Sequence, residues 1–473
     1  MPPIGVSRIA LVALMGAYAG VLGCDGRPIE PVTCSTPEVV RSYATSNPNN
    51  VLSAIVSADV RLSDSIAARF GRTPGPADNV TPAIDGSDGA VEVPLLGLHE
   101  ATRYTIQLVA FNDCGQTAGE LLSLETGTLP PDLPRYTAAG TDPSPGYVVF
   151  AAGNYGIVID NAGRVVWYHR FPNGPGLNFQ AQPNGRYTAR PAPASSSELA
   201  RWVEIDPLGN VTRTFGCGRG LQARMHDMIG EADGTYWLLC DEVRTMDLAG
   251  AGGSSQTSVL GTSVQHVGAN GDVLFDWAPF DHFEVDVQAV APGDQVGALL
   301  NWTHGNALDL DADGNLLVSF RNLSEITKID TRTGAVVWRM GGFRNQFTFE
   351  NIAAPAFARQ HGVRATGSGG LVLLDNLGDP LASRAERYEF DETRRTVRLV
   401  SSFASSRGAV AQTGGTTQSL PGIRTLVSFG NGGSVEETDA SGNVVWKING
   451  NPGYVFRAQR IRSLYHPGVG DPR

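Results

Sequence analysis

Residues 301–342 read NWTHGNALDLDADGNLLVSFRNLSEITKIDTRTGAVVWRMGG. Short apolar runs recur in it, at Leu316 to Phe320, Ile326 to Ile329 and Ala335 to Trp338. Turn residues separate them: Asp313-Gly314-Asn315, then Asp330 through Gly334. Period-two runs bounded by Asp-Gly and Thr-Gly turns predict β-hairpins. With a leading strand at 306–310, the stretch predicts a four-stranded antiparallel sheet.

The unit recurs. Its second half returns at 163–167, 209–212, 271–277, 334–338, a degenerate 395–400, and 442–446. Its first half returns at 145–149, 184–187, 233–238, 313–320, 370–374 and 421–429. These six copies, roughly 45–60 residues apart, have the one-blade period of a β-propeller. The expected fold is therefore all-β, with a six-bladed β-propeller over 137–468. The first copy is short, and the run 456–465 is placed to supply its missing strand. The loops 241–258 and 280–298 are long for a compact fold and suit a functional face.

Ahead of the repeats, 35–128 reads as a β-sandwich. Tyr104, Ile106, Leu108 and Ala110 alternate inward. The order Leu98-x-x-x-Thr102-x-Tyr104 resembles fibronectin type III domains, with Tyr104 placed like a tyrosine-corner residue. His99 stands on a turn, where solvation is expected. A Pro-rich linker, 129–136, joins the two parts.

The N-terminus reads as a targeting segment. Arg8 precedes an apolar run ending in Val21-Leu22-Gly23-Cys24, too short to span a bilayer. It resembles a bacterial lipobox. The expectation is a lipoprotein signal peptide at 1–23, lipid on Cys24, a tether at 24–34, and export to the periplasmic or cell-surface face of a membrane. The four remaining cysteines are Cys34 and Cys114 in the first part, Cys217 and Cys240 in the second. Export with an even remainder argues for two intradomain disulfides, whose connectivity stays open.

The net charge is −11, and the chain holds two lysines, Lys328 and Lys447. No nucleic-acid partner is expected on that balance. There is no phosphate loop and no signalled cofactor.

A histidine opens the first strand of three successive copies: His226, His304 and His361. In a propeller those positions converge at one end of the central channel. Arg321 ends the strand that pairs with His304's strand. Three chemistries suit this set. One is zinc, for which three His are a known arrangement, but no acid stands at a matching position and Arg321 repels a cation. The second is anion binding with group transfer, using a planar guanidinium and imidazoles as nucleophile, acid and base. The third is binding alone. Transfer ranks first, and no metal is expected. The stretch 309–314 opens like an EF-hand loop, but Phe320 stands where the bidentate Glu belongs. His169, His266 and His466 read as surface residues, His282 as reaching the mouth, and Trp302 as a wall of the ligand pocket or a residue packed between blades.

Residues 301–307, 317–322, 327–330 and 337–342 resemble the bacterial arylsulfotransferase family, which uses no nucleotide donor. Gln360-His361, Leu374-Asp375-Asn376, Ser383-Arg384-Ala385, 454–457 and Trp277-x-x-x-Asp281-His282 extend the resemblance over about 137–465. It implies a similar six-bladed propeller behind a β-sandwich. It implies an aryl sulfate donor and a phenolic acceptor, with His361 taking the sulfuryl group. It gives His226, His304 and Arg321 the sulfate oxygens and the proton transfers. Gly362-Val363 departs from the acidic residue many relatives carry after the histidine, which leaves the identity of the acceptor open. The alternative is a silent propeller lipoprotein binding anionic or glycan ligands. The sequence leaves room for a homodimer.

Overall fold

The computed structural model describes residues 34–251, 253–285, 299–353, 356–367, 369–378 and 381–471, with 295–296 as backbone only. The leader, Cys24 and most of the tether lie outside the described residues, as does part of the loop 280–298. The fold is all-β. Its described helical segments are short 3-10 turns, and none is long and apolar enough to cross a membrane.

Two sheets form from the first 125 residues. One joins Glu38–Ser46, Ala54–Arg61 and Gly89–Leu95; the other centres on Ser65–Arg72, Arg103–Asn112 and Gly115–Glu125. Strand Ala54–Arg61 buries alternate residues, as a sheet with one face on a core must. Val56, Ile66, Val93, Ile106 and Leu108 meet between the sheets at 0% exposure. Tyr104 Oη accepts the backbone N–H of His99 at 2.8 Å. His99 is thus half-buried rather than solvated. Cys34 and Cys114 are disulfide-bonded. The 129–136 segment is docked, not free: Leu133 packs with Leu52, Phe150 and Trp446.

The remaining described strands form six sheets, antiparallel but for short parallel pairings of Val259 with Leu300 and Thr348 with Thr396, called here repeat sheets one to six in chain order. Sheet four shows the pattern: Gly305–Leu310, Leu316–Phe320, Glu325–Ile329 and Val336–Gly341, each paired to the next. Strand Leu316–Phe320 is buried throughout, which simple alternation does not predict. Its two faces serve two cores. Leu316, Val318 and Phe320 face sheet three, while Leu317 faces sheet five. A sheet covered on both faces reads as a near-continuous apolar run.

Each sheet packs on the next through such a core, and the last returns to the first. Sheet six places Leu426, Val435 and Trp446 against Val148, Phe150 and Ile157 of sheet one. The tryptophans of the fourth strands add a polar latch. Trp167 Nε1 donates to Pro207 O, Trp277 Nε1 to Gly334 O, and Trp446 Nε1 to Asn161 O. In each case the acceptor lies in the third turn of the following sheet, and Trp446 closes sheet six onto sheet one. Trp338 Nε1 is buried with no such acceptor; the sheet it faces is the one whose repeat is degenerate in sequence. The C-terminal strand Ala458–Ile461 pairs with Tyr147–Ala152 and completes sheet one.

Two expectations change. The stretch 241–258 is mostly not a loop. Tyr236–Met246 and Thr257–Val267 stay paired to Met246↔Thr257, so sheet three carries an extended hairpin. His169 and His266 are not open surface residues. His266 stacks on Trp237 at 4.2 Å and bonds Thr235 Oγ1 at 2.9 Å. His169 stacks on Trp167 at 6.4 Å. The repeated Trp offers a flat apolar face, and an imidazole half-buried on it is held below its ordinary pKa by desolvation.

Candidate active site

The three histidines stand at irregular points of their first strands. His226 lies inside strand Gln222–Gly230, where the register shifts between Ala223 and Met228. His304 precedes Gly305–Leu310, with a register shift between Gly305 and Ala307. His361 opens His361–Ala365, with a shift between His361 and Arg364. A bulge frees its residue from the ladder and re-aims the side chain. The same irregularity in three successive sheets turns three imidazoles toward one another. His304 takes a left-handed φ of +49°, a strained choice for a non-glycine residue.

The rings of His226 and His304 meet edge to face at 5.0 Å. Phe456, ahead of the C-terminal strand, lies 5.7 Å from His226 and 6.1 Å from His361. Arg321 opens the 3-10 turn Arg321–Leu323, and its backbone N–H donates to His304 O at 3.1 Å. Its guanidinium donates to Asn322 Oδ1 at 2.8 Å. Carbonyl clamps from neighbouring sheets hold the histidine segments. Asn178 Nδ2 donates to His226 O at 2.9 Å, and Asn306 Nδ2 to Gln360 O at 2.7 Å.

The polar partners fix tautomers. His361 Nδ1 faces two acceptors, Asn376 Oδ1 at 2.8 Å and Arg359 O at 3.1 Å. Asn376 cannot turn its amide round, because its Nδ2 donates to Ala411 O and Gly414 O. Nδ1 of His361 therefore carries the hydrogen, and Nε2 presents a lone pair, approached by Gly414 N–H at 3.3 Å. His304 Nδ1 pairs with the side-chain amide of Asn301 at 2.7 Å. His226 Nδ1 is buried without a described partner.

Electrostatics keep these rings neutral. Burial lowers all three pKa values, that of His361 to about 3, against the opposing bond from Asn376. His226 and His304 fall well below the ordinary histidine value, through burial first and then the charge of Arg224. Arg321 adds to the shift on all three. Neutral imidazoles clustered under positive guanidinium charge have the chemistry that suits an anion.

Residues 220–451 match the arylsulfotransferase (ASST) family model. That stretch belongs to the arylsulfotransferase family. No curated protein matches the chain significantly. Among solved structures, a protein of unknown function from Bacteroides caccae is 14% identical, covers 68% of this chain and 100% of its own, and has a TM-score of 0.44. A streptogramin B lyase is 13% identical, with 67% and 84% covered and a TM-score of 0.37. A virginiamycin B lyase from Staphylococcus aureus with quinupristin is 10% identical, with 66% and 88% covered and a TM-score of 0.37.

All of His226, His304, Arg321 and His361 fall inside the arylsulfotransferase match. Trp302 stands elsewhere: it is 1% exposed, packed by Phe280 and Phe283 at 5.3 and 6.5 Å. It borders a cavity of about 300 Å³ with His282 and Arg339, which none of the three histidines lines. His282 stacks on Trp277 at 5.0 Å. Among the described residues, the three rings do not bring three nitrogens within 4.8 Å of one another, whereas Asp311, Asp313 and Glu392 do bring three oxygens together. That trio surrounds the ammonium of Lys328, bonded to all three acids. The EF-hand-like stretch is a lysine cage.

Sequence reasoning missed Arg224, whose Nε donates to Gly305 O at 2.8 Å while Nη1 pairs with Asp241. It also missed the orienting role of Asn376 and the ring of Phe456. Arg224 stands two residues before His226 in the same irregular segment, which is the one signal that could have found it. The contacts of Asn376 span separations of 35 and 38 residues and leave no local trace.

Proposed function

We propose that the chain is an arylsulfate sulfotransferase that moves a sulfuryl group from an aryl sulfate to a phenol through a sulfohistidine on His361, with no nucleotide donor. The observation that carries this reading is the unprotonated Nε2 of His361, set by the Nδ1–H···Oδ1 bond to Asn376 and accepting a long bond from Gly414 N–H, with two further buried histidines and Arg321 close by. A sulfate ester is anionic, so a neutral nucleophile meets less repulsion than an anionic one.

In the first half-reaction, His361 Nε2 attacks sulfur and the bond from sulfur to the aryl oxygen breaks. Arg321 and His304 offset charge on the sulfuryl oxygens. The bound ester adds one negative charge, which favours a protonated imidazole among His226 and His304. That proton passes to the departing phenolate. In the second half-reaction the acceptor hydroxyl gives its proton back to the same imidazole, its oxygen attacks sulfur, and the bond from sulfur to Nε2 breaks. Phe456, edge-on to two of the imidazoles, suits the aryl ring as a wall.

The architecture we assign is a six-bladed propeller over 137–468, behind a fibronectin-III-like sandwich at 35–128 and the linker 129–136. The cyclic order of cores and the Trp446 latch support the blade count. The Tyr104 bond to the His99 backbone supports the sandwich type. We assign the chain to the exported face of a bacterial membrane, anchored by lipid on Cys24. Its disulfides, Cys34 to Cys114 and Cys217 to Cys240, suit an oxidising compartment.

The test is transfer from 4-nitrophenyl sulfate to phenol, wild type against His361→Asn, with mass analysis of the peptide carrying His361 after donor alone. Transfer and a sulfuryl adduct are expected only in the wild type. Equal activity in both proteins rejects His361 as the acceptor.

A further inference from the structure

Sheet two repeats the geometry of sheet four with different residues. In sheet four, Gly305 pairs with Phe320, so Arg321 stands opposite His304 at the same end of the sheet. In sheet two, Phe179 pairs with Ala189, so Arg190 stands opposite Asn178. Asn178 is the residue that clamps His226 O. Arg190 is therefore the positional counterpart of Arg321, two sheets round the ring.

Arg190 is 7% exposed. Its Nε is buried with no hydrogen-bond partner, and its guanidinium reaches only Pro191 O, at 3.4 Å, among the described residues. No described carboxylate forms an ion pair with it. Asp241, whose charge acts on Arg190, is already bonded to Arg224. A buried guanidinium stays charged, and leaving it without a carboxylate is costly. Its charge also acts on His226, as that of Arg321 does. So a second buried cation acts on the histidine cluster, with its Nε unbonded and one long bond from Nη1.

We propose that Arg190 is a second anion subsite, and that the aryl substrate carries a fixed negative group, a carboxylate in the simplest case, besides its reacting oxygen. This rests on reading the histidine pocket as a sulfuryl-transfer site. With the sulfuryl group between His361 and Arg321, the ring spans toward His226, and its far substituent meets Arg190. A charge-assisted bond to a desolvated guanidinium then favours carboxylated phenols over neutral ones of the same shape.

Binding and turnover of 4-hydroxybenzoate and 4-hydroxybenzamide, which share a shape and differ in charge, form the test. Calorimetry on the wild type is expected to give a Kd at least about tenfold lower for the benzoate. The kcat/KM ratio with 4-nitrophenyl sulfate as donor is expected to follow it. Arg190→Gln is expected to bring both ratios near unity, and Arg190→Lys to keep part of them. Equal binding of the two phenols by the wild type overturns the subsite, as does an unchanged ratio in a folded Arg190→Gln protein. Tight benzoate binding without sulfuryl transfer to either phenol upholds the subsite and rejects the transfer reading instead.

Discussion

His361 Nδ1 and Asn376 Oδ1 lie 2.8 Å apart, and the amide that makes this bond is itself locked by two carbonyls. The bond decides which imidazole nitrogen faces the pocket. Asn376→Leu removes the acceptor with little change in volume and leaves Arg359 O as the described partner of Nδ1. We expect kcat for sulfuryl transfer to fall roughly 10²-fold with KM little changed. A fall in KM-dependent terms alone would mean that Asn376 shapes binding and not the tautomer.

The three histidines also make folding stability depend on pH. In the folded chain His361 holds its proton only below about 3, while in the unfolded chain it titrates near the ordinary value of 6.5. Between those limits the unfolded state binds more protons. Stability therefore rises with pH across that window and is lost as pH falls through it. His226 and His304 act in the same direction. Buried Asp375 and Glu386, raised to about 6 and about 7, act oppositely, so the informative quantity is a difference. Urea midpoints at pH 6.5 and 4.5 are expected to fall less steeply in His361→Asn than in the wild type. Parallel slopes would mean that His361 is protonated in the native state.

Lys328 fills the one described cluster of three acids. Burial disfavours its charge, yet the bonds from Asp311, Asp313 and Glu392 outweigh that and raise its pKa. Millimolar calcium is expected to leave the wild-type Tm unchanged. Lys328→Met is expected to lower Tm in chelator, and calcium is expected to restore part of the loss. A calcium-dependent Tm in the wild type would show that the lysine does not own the site.

Much of this was legible because a repeat is a comparison within one chain. The turns Gly163, Gly209, Gly271, Gly334 and Gly442 each precede a fourth strand, and His304 gained meaning only beside His226 and His361. Arg321 was placed next to His304 by hairpin geometry alone, and the backbone bond between them follows from it. What stayed illegible is what passes between sheets. Alternation says which face a residue takes, not what waits across it. Hence the clamp of Asn178 on His226 O and the reach of Lys328 to Glu392 came only with the fold. The extended hairpin of sheet three was missed for a local reason: Asp241 to Met246 is rich in charge, and its pairing is specified by its partner strand rather than by an apolar face.

Beneath the histidines, Asp227 is the hub of a buried network. It is 0% exposed. It accepts two bonds from Arg364, at 2.9 and 3.2 Å, and the backbone N–H groups of Met228 and Leu308. It also lies 3.0 Å from Arg457. These groups come from sheets three, four and five and from the segment leading into the C-terminal strand, so one carboxylate ties together the elements that carry the three histidines. Asp227→Ala takes from two buried guanidinium groups the carboxylate they share. We expect a loss of roughly 3–5 kcal/mol by urea denaturation. Because His226 is its chain neighbour, we also expect transfer activity to fall in protein that is still folded at low urea. The control is Asp471→Ala, which removes a buried carboxylate near the C-terminus that pairs with the exposed Arg462, far from the histidines in sheet order. A loss no greater than that of the control would mean that the axial network is neutral to stability and that the sheets are held by their apolar cores alone.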